Sequence, residues 1–190
     1  HEHLSTVSGI HHIYLQQLWQ GVSVVDGVLS LHIDKQGNLI AFHDQFIKSF
    51  SDKVRNPSHQ ISPQNAVQKV WSHFGIEQDA ELKMITQSSD ISIKTEFEST
   101  NLTHGNVFAE KKYLLDSTNQ IRLSWEVKFE MADGSKNLMV YVDVENTNIL
   151  RIHNLTLECE FVPEGYAEKK QPFLPVKQKL INEENVYHVY

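Results

Sequence analysis

The N-terminal quarter of the chain has the period-2 hydrophobic pattern of a β-sheet. From residue 10 to residue 46, apolar and polar residues alternate over three strand-length segments, interrupted at Gly21 and at the turn sequence of residues 34–38 (DKQGN). Within the second segment, Asp26-Gly27 indicates a bulge, because glycine accommodates the unusual backbone there. The pattern predicts an antiparallel β-meander in residues 1–46, followed by a polar linker in residues 47–61.

One segment has the period of a helix. Ser62 is a favourable N-cap, Pro63 suits the first helical position, and Gly75 follows the last apolar residue. Between them, the apolar residues that recur at helical spacing are Ala66, Val67, Val70, Trp71 and Phe74. We therefore predict a helix at about residues 63–74, with one face packed against a sheet.

The second half of the chain returns to period 2 four times, which predicts four more strands. They cover residues 107–115, 121–131, 138–144 and 149–161, with turn-forming residues between them. Residues 76–106 are polar with weak alternation, which indicates an insertion or irregular strands. One helix followed by four antiparallel strands forms an α+β layer, in which the helix covers a curled sheet.

The C-terminal segment has no periodic pattern. Residues 163–190 contain three prolines and several lysines, a composition that favours an extended tail. The predicted fold class is therefore α+β, with two antiparallel β units and an extended tail. The predicted divisions of the chain are the first β unit (1–46), the linker (47–61), the α+β unit (62–162) and the tail (163–190).

Composition excludes two classes of partner. The chain has 190 residues, 40% of them hydrophobic, and a formal net charge of −7, so it lacks the basic surface of a nucleic-acid-binding protein. Its apolar runs are much shorter than the roughly 20 residues that span a bilayer, so no membrane segment is expected. Cys159 is the only cysteine, which excludes a disulfide within the chain.

Histidine is abundant, but it forms no recognisable metal motif. The eleven histidines contain no H-E-x-x-H, because Ser5 stands where the second histidine after His1-Glu2 is needed. Neither a G-x-S-x-G nucleophile elbow nor a glycine-rich phosphate loop occurs in the sequence. The residues alone therefore predict no catalytic site, and no metal or other cofactor, in this chain.

Two N-x-[ST] triplets are candidate glycosylation sites, at Asn101 and Asn154. Asn101 lies in a polar segment, whereas Asn154 lies in a predicted strand whose neighbours Ile152 and Leu155 are expected to be buried. We expect Asn101 to be the better acceptor. The two triplets favour a protein that follows the secretory route.

Several segments resemble the propeptides of fungalysins, the secreted zinc endopeptidases of fungi. Residues 11–24 (HHIYLQQLWQGVSV) are similar to the start of the fungalysin/thermolysin propeptide domain, and residues 32–40 (HIDKQGNLI) to its second hairpin. Residues 62–75 resemble the helix that follows. Residues 123–127 (LSWEV) and 140–143 (VYVD) resemble paired strands of the PepSY-like half of such propeptides.

The resemblance covers about residues 9–158 in the order and spacing of the family. It departs at the turn of residues 146–148 (NTN), where the family usually has Thr-Gly. Asparagine tolerates the left-handed conformation, so we expect the turn to form. Residues 76–106 have no counterpart in the family.

The resemblance implies a non-catalytic prodomain that assists the folding of a peptidase and inhibits it until proteolytic activation. The zinc, its histidine ligands and the catalytic glutamate are then expected in a catalytic domain downstream of Tyr190. That domain is the expected partner, in cis before cleavage and non-covalently afterwards. The tail is expected to contact the cleft or to contain the activating cut, with Lys169, Lys170, Phe173, Asn185, Val186 and Tyr187 as candidate residues.

Two other functions are compatible with the sequence. One is a stand-alone secreted module of the same fold that inhibits peptidases or binds another ligand. The other is an enzyme with an unrecognised site. A reading frame that continues past Tyr190 into H-E-x-x-H distinguishes the zymogen from the stand-alone module.

Overall fold

The computed structural model describes residues 1–76, 82–85, 94–98 and 102–156, which contain nine strands and two helices. Residues 1–157 make up one unit, and residues 158–190 make up a second unit that lies outside the described ranges. In chain order the elements are β1 (Glu2–Leu4), β2 (His11–Trp19), β3 (Val22–Ile33), β4 (Leu39–Asp44), α1 (Phe50–Lys53), α2 (Pro63–His73), β5 (Lys94–Phe97), β6 (Val107–Leu115), β7 (Ile121–Glu130), β8 (Asn137–Asp143) and β9 (Ile149–Asn154). Neither helix is long and apolar enough to cross a membrane.

The strands form one connected sheet with two parts. The order is β1-β2-β3-β6-β7-β8-β9, with β4 added to β3 and β5 added to β6. All neighbours are antiparallel except β3 and β6, which meet in parallel at Val24 and Tyr113. We call β1–β4 the N-terminal sheet and β5–β9 the C-terminal sheet. The long strand β3 joins them, because Val22 and Val24 at its start are buried in the core.

Helix α2 covers the C-terminal sheet, as the sequence predicts. The Ser62 hydroxyl accepts a hydrogen bond from the Asn65 backbone N–H at 3.2 Å, Pro63 opens the helix, and Gly75 has a φ of 68° just beyond its end. The apolar stripe of α2 packs against β6, β7 and β8. Its fully buried members are Ala66, Val67, Val70 and Trp71.

The segment between the two β units is packed, although its polar sequence predicts a linker. Helix α1 lies there, and its first residue Phe50 is only 6% exposed. The Phe50 ring lies between Trp19 and Tyr113, at centroid distances of 5.0 and 5.6 Å. The structure thus has a second helix, of four residues, where the sequence predicts none. The buried Phe50 ring helps to anchor this segment to the core.

The C-terminal sheet contains the four predicted strands and one more. The additional strand β5 falls within residues 76–106 and pairs with β6. Two predicted strands end earlier than expected: β7 ends at Glu130, and β9 ends at Asn154. The last predicted strand residues, 157–161, lie outside the described part of the chain.

The turn between β8 and β9 forms without the glycine usual in the family. The left-handed residue is Thr147, with a φ of 60°, and not one of the flanking asparagines. Asp143 stabilises the turn, because its Oδ1 accepts hydrogen bonds from the backbone N–H groups of Glu145 and Asn146 at 2.7 and 3.3 Å. The expectation that the turn forms is confirmed, but its backbone strain lies at Thr147.

Candidate functional site

The N-terminal sheet has two faces of different chemistry. Directly opposed residues of antiparallel strands share a face, so the register sorts the side chains. His12 of β2 is opposite His3 of β1 and His32 of β3. On the other face, Leu31 of β3 is opposite Ile13 of β2 and Phe42 of β4. One face is therefore rich in histidine and the other is apolar.

The histidine face is a set of interacting aromatic rings. The Nδ1 atoms of His12 and His32 are 2.7 Å apart, so these rings share one hydrogen bond. His3 stacks on His12 at 6.2 Å, and the Tyr14 ring meets His32 edge-on at 6.3 Å. Within the described ranges, no group of three or more histidine, cysteine or acidic residues is arranged to hold a metal ion. The side chains of this face contact one another, which leaves it polar and internally paired.

The opposite face is apolar, and no second layer from the described part of the chain covers it. We define the apolar face as Leu4, Ile13, Leu15, Leu29, Leu31, Ile33, Leu39 and Phe42. None of these residues belongs to the hydrophobic core cluster. Phe42 is 63% exposed and Leu4 is 58% exposed, whereas the corresponding face of the C-terminal sheet is buried under α2. Charged groups lie only at its edges, where Glu2 pairs with His11 at 3.4 Å at one end and Asp44 lies at the other.

Two consecutive glutamines fix the shape of the N-terminal sheet. The Gln16 side-chain amide donates to the backbone carbonyls of Val24 and Gly27, at 2.7 and 3.0 Å, across the bulge in β3. The bulge predicted at Asp26-Gly27 is present, since the β2–β3 register shifts there and Asp26 has a φ of 61°. A Cβ atom on Gly27 would lie 3.0 Å from the Gln17 side chain, so the site accepts only glycine without a rearrangement.

Gln17 connects the sheet to the segment that leads into α1. Its amide nitrogen donates to the Ile47 carbonyl at 3.1 Å, and its amide oxygen accepts from the Ile47 N–H at 2.8 Å. The Gln17 amide thus satisfies both backbone groups of Ile47, as a neighbouring strand would, although Ile47 lies outside any strand. It holds the chain between β4 and α1 against β2.

Gln17→Glu should therefore lower the free energy of unfolding by about 1–2 kcal/mol. A carboxylate cannot donate a hydrogen bond to the Ile47 carbonyl, and one of its oxygens would lie against the carbonyl oxygen. Urea unfolding at neutral pH measures the change. Gln45→Glu is the control, since Gln45 is exposed and should shift stability by less than about 0.5 kcal/mol. Equal losses for the two variants would show that the Gln17 bonds contribute nothing.

Two aspartates organise similar hairpin turns. In the predicted turn of residues 34–38, Asp34 accepts from the backbone N–H groups of Gln36 and Asn38 at 2.9 and 2.8 Å. Hydrogen bonds from Asn38 lower the pKa of Asp34. Asp116, after β6, likewise accepts from the N–H groups of Thr118 and Gln120, at 2.8 and 3.0 Å. Both turns therefore depend on an ionised carboxylate that accepts backbone N–H groups.

Polar side chains on the second face of the C-terminal sheet are already paired. Glu126 is 5% exposed, and it accepts from the Tyr141 hydroxyl at 2.6 Å and from the Lys128 ammonium at 2.9 Å. Burial raises the pKa of Tyr141, so its hydroxyl stays protonated as the donor. Lys112 contacts Ser23 at 2.8 Å and so links this face to β3. These groups stabilise the junction of the two sheets and leave no ionised group aimed at a substrate.

An open groove of about 750 Å³ lies beside the turns that follow β6 and β8. Arg122 lies in its wall between Asp116 and Asp143, at 2.6 and 3.3 Å, and Arg151 pairs with Asp26 at 2.7 Å. The arginines and aspartates that line the groove are thus each in an ion pair, two of them centred on Arg122.

Most of the site residues expected from sequence lie outside the described residues. Asn101 and Cys159 do so, as do the tail candidates Lys169, Lys170, Phe173, Asn185, Val186 and Tyr187. Asn154 is described and exposed, and its Oδ1 accepts from the Thr156 N–H at 3.1 Å. The expectation that its neighbours are buried is wrong, since Ile152 and Leu155 are 41% and 42% exposed at the free side of edge strand β9.

The N-terminal sheet, which carries the apolar face, is also the part of the chain that matches the model of a known family. Residues 4–46 match the Fungalysin/Thermolysin Propeptide Motif. The match runs from the last residue of β1 to just beyond β4, so it includes the apolar face and both glutamines. The resemblance predicted from the sequence is confirmed. We call residues 4–46 the propeptide motif from here on.

Comparison with curated proteins extends the similarity beyond the propeptide motif. The chain is 22% identical over 160 residues to "Extracellular metalloproteinase 5" of Arthroderma otae, a match that covers 81% of this chain and 24% of that protein. "Extracellular metalloproteinase 1" of Arthroderma gypseum and "Extracellular metalloproteinase 10" of Uncinocarpus reesii match at 22% identity over 156 and 158 residues, each with the same coverage. The chain thus spans about a quarter of the length of these relatives.

Among solved structures, the Bacillus megaterium YpeB C-terminal domain aligns with a TM-score of 0.39 and 12% sequence identity, covering 78% of this chain and 52% of that one.

The propeptide motif indicates a non-catalytic prodomain. This agrees with the expectation that the chain is a prodomain and not itself the peptidase.

Proposed function

We propose that this chain is the prodomain of a secreted, fungalysin-like zinc metalloendopeptidase, and that it assists the folding of the peptidase and inhibits it until activation. The observation that carries the proposal is the propeptide motif at residues 4–46. The relatives support it, because they are extracellular metalloproteinases of which this chain spans only 24%. The remaining three quarters have room for a catalytic domain with its zinc, histidine ligands and glutamate.

A prodomain of this kind acts through its covalent connection. A tethered inhibitor meets its enzyme at an effective concentration in the millimolar range, so even a modest interface is occupied before cleavage. After cleavage the same interface holds the prodomain non-covalently. Secretion with the peptidase is part of the proposal. On that route the candidate glycosylation sites are Asn101, the expected better acceptor, and Asn154, which is exposed.

The tail completes the proposal. Residues 163–190 are proline-rich, and extended segments suit protease clefts because their main-chain groups are free to pair with a cleft-edge strand. We assign cleft contact to Lys169, Lys170 and Phe173, and the activating cut to the neighbourhood of residues 185–187 (NVY).

The test uses residues 1–190 as an inhibitor of the metallopeptidase encoded with this chain. We expect saturable inhibition in trans, and at least about tenfold weaker inhibition when the chain is truncated after Val162. N-terminal sequencing of the activated enzyme should place the cut within residues 163–190.

Three results would contradict parts of this proposal. Equal inhibition by the truncated chain would remove the tail from the cleft. A mature N-terminus elsewhere would remove the cut from residues 163–190. A stop codon directly after Tyr190, with no peptidase in the same frame, would leave the alternative of a stand-alone secreted module that inhibits peptidases or binds another ligand.

A further inference from the structure

We infer that the apolar face of the N-terminal sheet is the surface on which the tethered catalytic domain docks. This inference rests on the proposed function and names the part of the chain that carries the contact. The inference assigns the contact to the apolar face of the propeptide motif and not to its histidine face. It also predicts that the histidine face stays exposed in the zymogen.

The apolar face needs a cover that the described residues do not supply. A sheet buries its apolar face against another layer, as the C-terminal sheet does under α2. In the N-terminal sheet, Leu15, Leu39 and Phe42 are 45%, 56% and 63% exposed. Contiguous exposed apolar side chains with a polar rim are typical of interaction sites.

The composition of the face is that of a docking surface. Its centre consists of aliphatic and aromatic side chains from β2, β3 and β4, and its charged groups lie only at the ends, at Glu2, His11 and Asp44. Protein interfaces have this distribution, with an apolar centre and a polar rim. The histidine face differs, since His12 shares a hydrogen bond with His32 and the Tyr14 ring contacts His32 edge-on.

The size of the face favours a tethered partner over a second copy of the chain. In projection on the plane of the sheet, four strands at their usual spacing, with three to six residues each in this part of the sheet, cover about 300 Å². Stable complexes of free proteins bury about 800 Å² on each partner. A patch of this size lies at the low end for two free copies, and it suffices as one part of the contact with a domain that is covalently attached.

The experiment places one charge on the apolar face in the chain of residues 1–190. Phe42→Asp and Leu15→Asp should each raise the inhibition constant against the cognate metallopeptidase by at least about tenfold, because docking then buries an unpaired carboxylate. Val7→Asp is the matched control, since Val7 is an apolar residue that is 98% exposed but lies outside the strands. It should change the inhibition constant less than about twofold.

A second measurement covers the case in which an aspartate variant unfolds. Phe42→Cys and His43→Cys, each in a Cys159→Ser background, place a thiol on the apolar face and on the histidine face of the same strand. Addition of the peptidase should slow alkylation at position 42 by at least about tenfold and leave position 43 nearly unchanged. Equal rates at position 42 with and without bound peptidase would overturn the inference.

The outcomes separate this inference from the proposed function. If the wild-type chain does not inhibit the peptidase, the proposed function fails. If it inhibits and the two aspartate variants inhibit equally well, only the docking face is wrong. If the chain alone sediments as a dimer that Phe42→Asp dissociates, the occupant is a second copy and the inference is overturned.

Discussion

Trp125→Ala should lower the free energy of unfolding by about 3–5 kcal/mol, the largest loss that we expect from a single substitution in this chain. The Trp125 ring is 2% exposed, on the face of β7 that packs under α2. Its indole N–H also donates to the Ile61 carbonyl at 3.0 Å, just before the N-cap of the helix. The substitution therefore leaves a large cavity and an unpaired carbonyl in the same place.

The two buried tryptophans allow the hydrogen bond to be separated from the cavity. Trp71 of α2 is fully buried, but its indole nitrogen has no hydrogen-bond partner among the described residues. Trp71→Phe and Trp125→Phe remove similar volumes, but only the second breaks a hydrogen bond. We expect Trp125→Phe to cost about 1 kcal/mol more in urea unfolding. A larger loss for Trp71→Phe would contradict this explanation.

Losses of stability of this size would also affect an inhibition assay. Domains of this kind are stable by only about 5–15 kcal/mol, so Trp125→Ala removes a large fraction of the margin. Under the proposed function, the variant should inhibit poorly because it is partly unfolded, although position 125 is not on the apolar face. Stability measurements are therefore needed beside every inhibition assay.

The elements with strong local signals were predictable from the sequence. Helix α2 has an N-cap serine, a proline in its first turn and a glycine beyond its end, and the structure uses all three. The four later strands follow their alternation, and the turn of residues 34–38 follows its Asp and Gly. In each case, a residue's own neighbours in sequence determine the conformation.

The elements that were missed lack such signals. Strand β1 has three residues, too few for alternation to be informative, and it forms only because β2 pairs with it. Helix α1 has Ser49 as its N-cap in a left-handed conformation with a φ of 51°, without a side-chain capping bond. Its main contact with the core is the Phe50 ring, and the sequence does not show which aromatic ring reaches the core.

The candidate site was predictable only in part, because it depends on long-range pairing. Alternation assigns Tyr14 and Ile13 to opposite sides of β2, but not to a polar or an apolar sheet face. The 2.7 Å contact between His12 and His32 joins residues 20 positions apart and depends on the register across the bulge. Whether a second layer covers an apolar face is a property of the assembled domain, and no local pattern contains it.

Acid should weaken this domain through Asp116, and Asp116→Asn measures by how much. Asp116 also accepts from the Thr118 hydroxyl and from the Arg122 guanidinium, both at 2.6 Å. Burial alone raises the pKa of Asp116, but the hydrogen bonds from Thr118, Arg122 and Gln120 outweigh it and lower the pKa well below its usual range. The folded state therefore prefers the ionised carboxylate more strongly than the unfolded state does.

The sign of the pH dependence follows from that preference. The unfolded chain takes up the proton first as the pH falls, so the stabilising contribution is complete above about pH 5 and is lost progressively below about pH 4. Asparagine resembles the protonated side chain in shape and charge. We expect Asp116→Asn to be about 2 kcal/mol less stable than wild type at pH 7, and this gap to shrink as the pH falls towards 2.

Thermal or urea unfolding of both proteins at pH 7, 5, 3 and 2 gives the gap directly, and other groups that titrate in the same way in both proteins cancel. His153 is one of them: burial lowers its pKa, so it weakens the fold at lower pH, but equally in wild type and variant. Asp34→Asn is the matched control, since Asp34 accepts the same kind of turn bonds without an arginine partner and should show a smaller gap. If the Asp116→Asn gap stays constant down to pH 2, the ionised carboxylate is not the source of the stability, and the turn depends on the shape of the side chain alone.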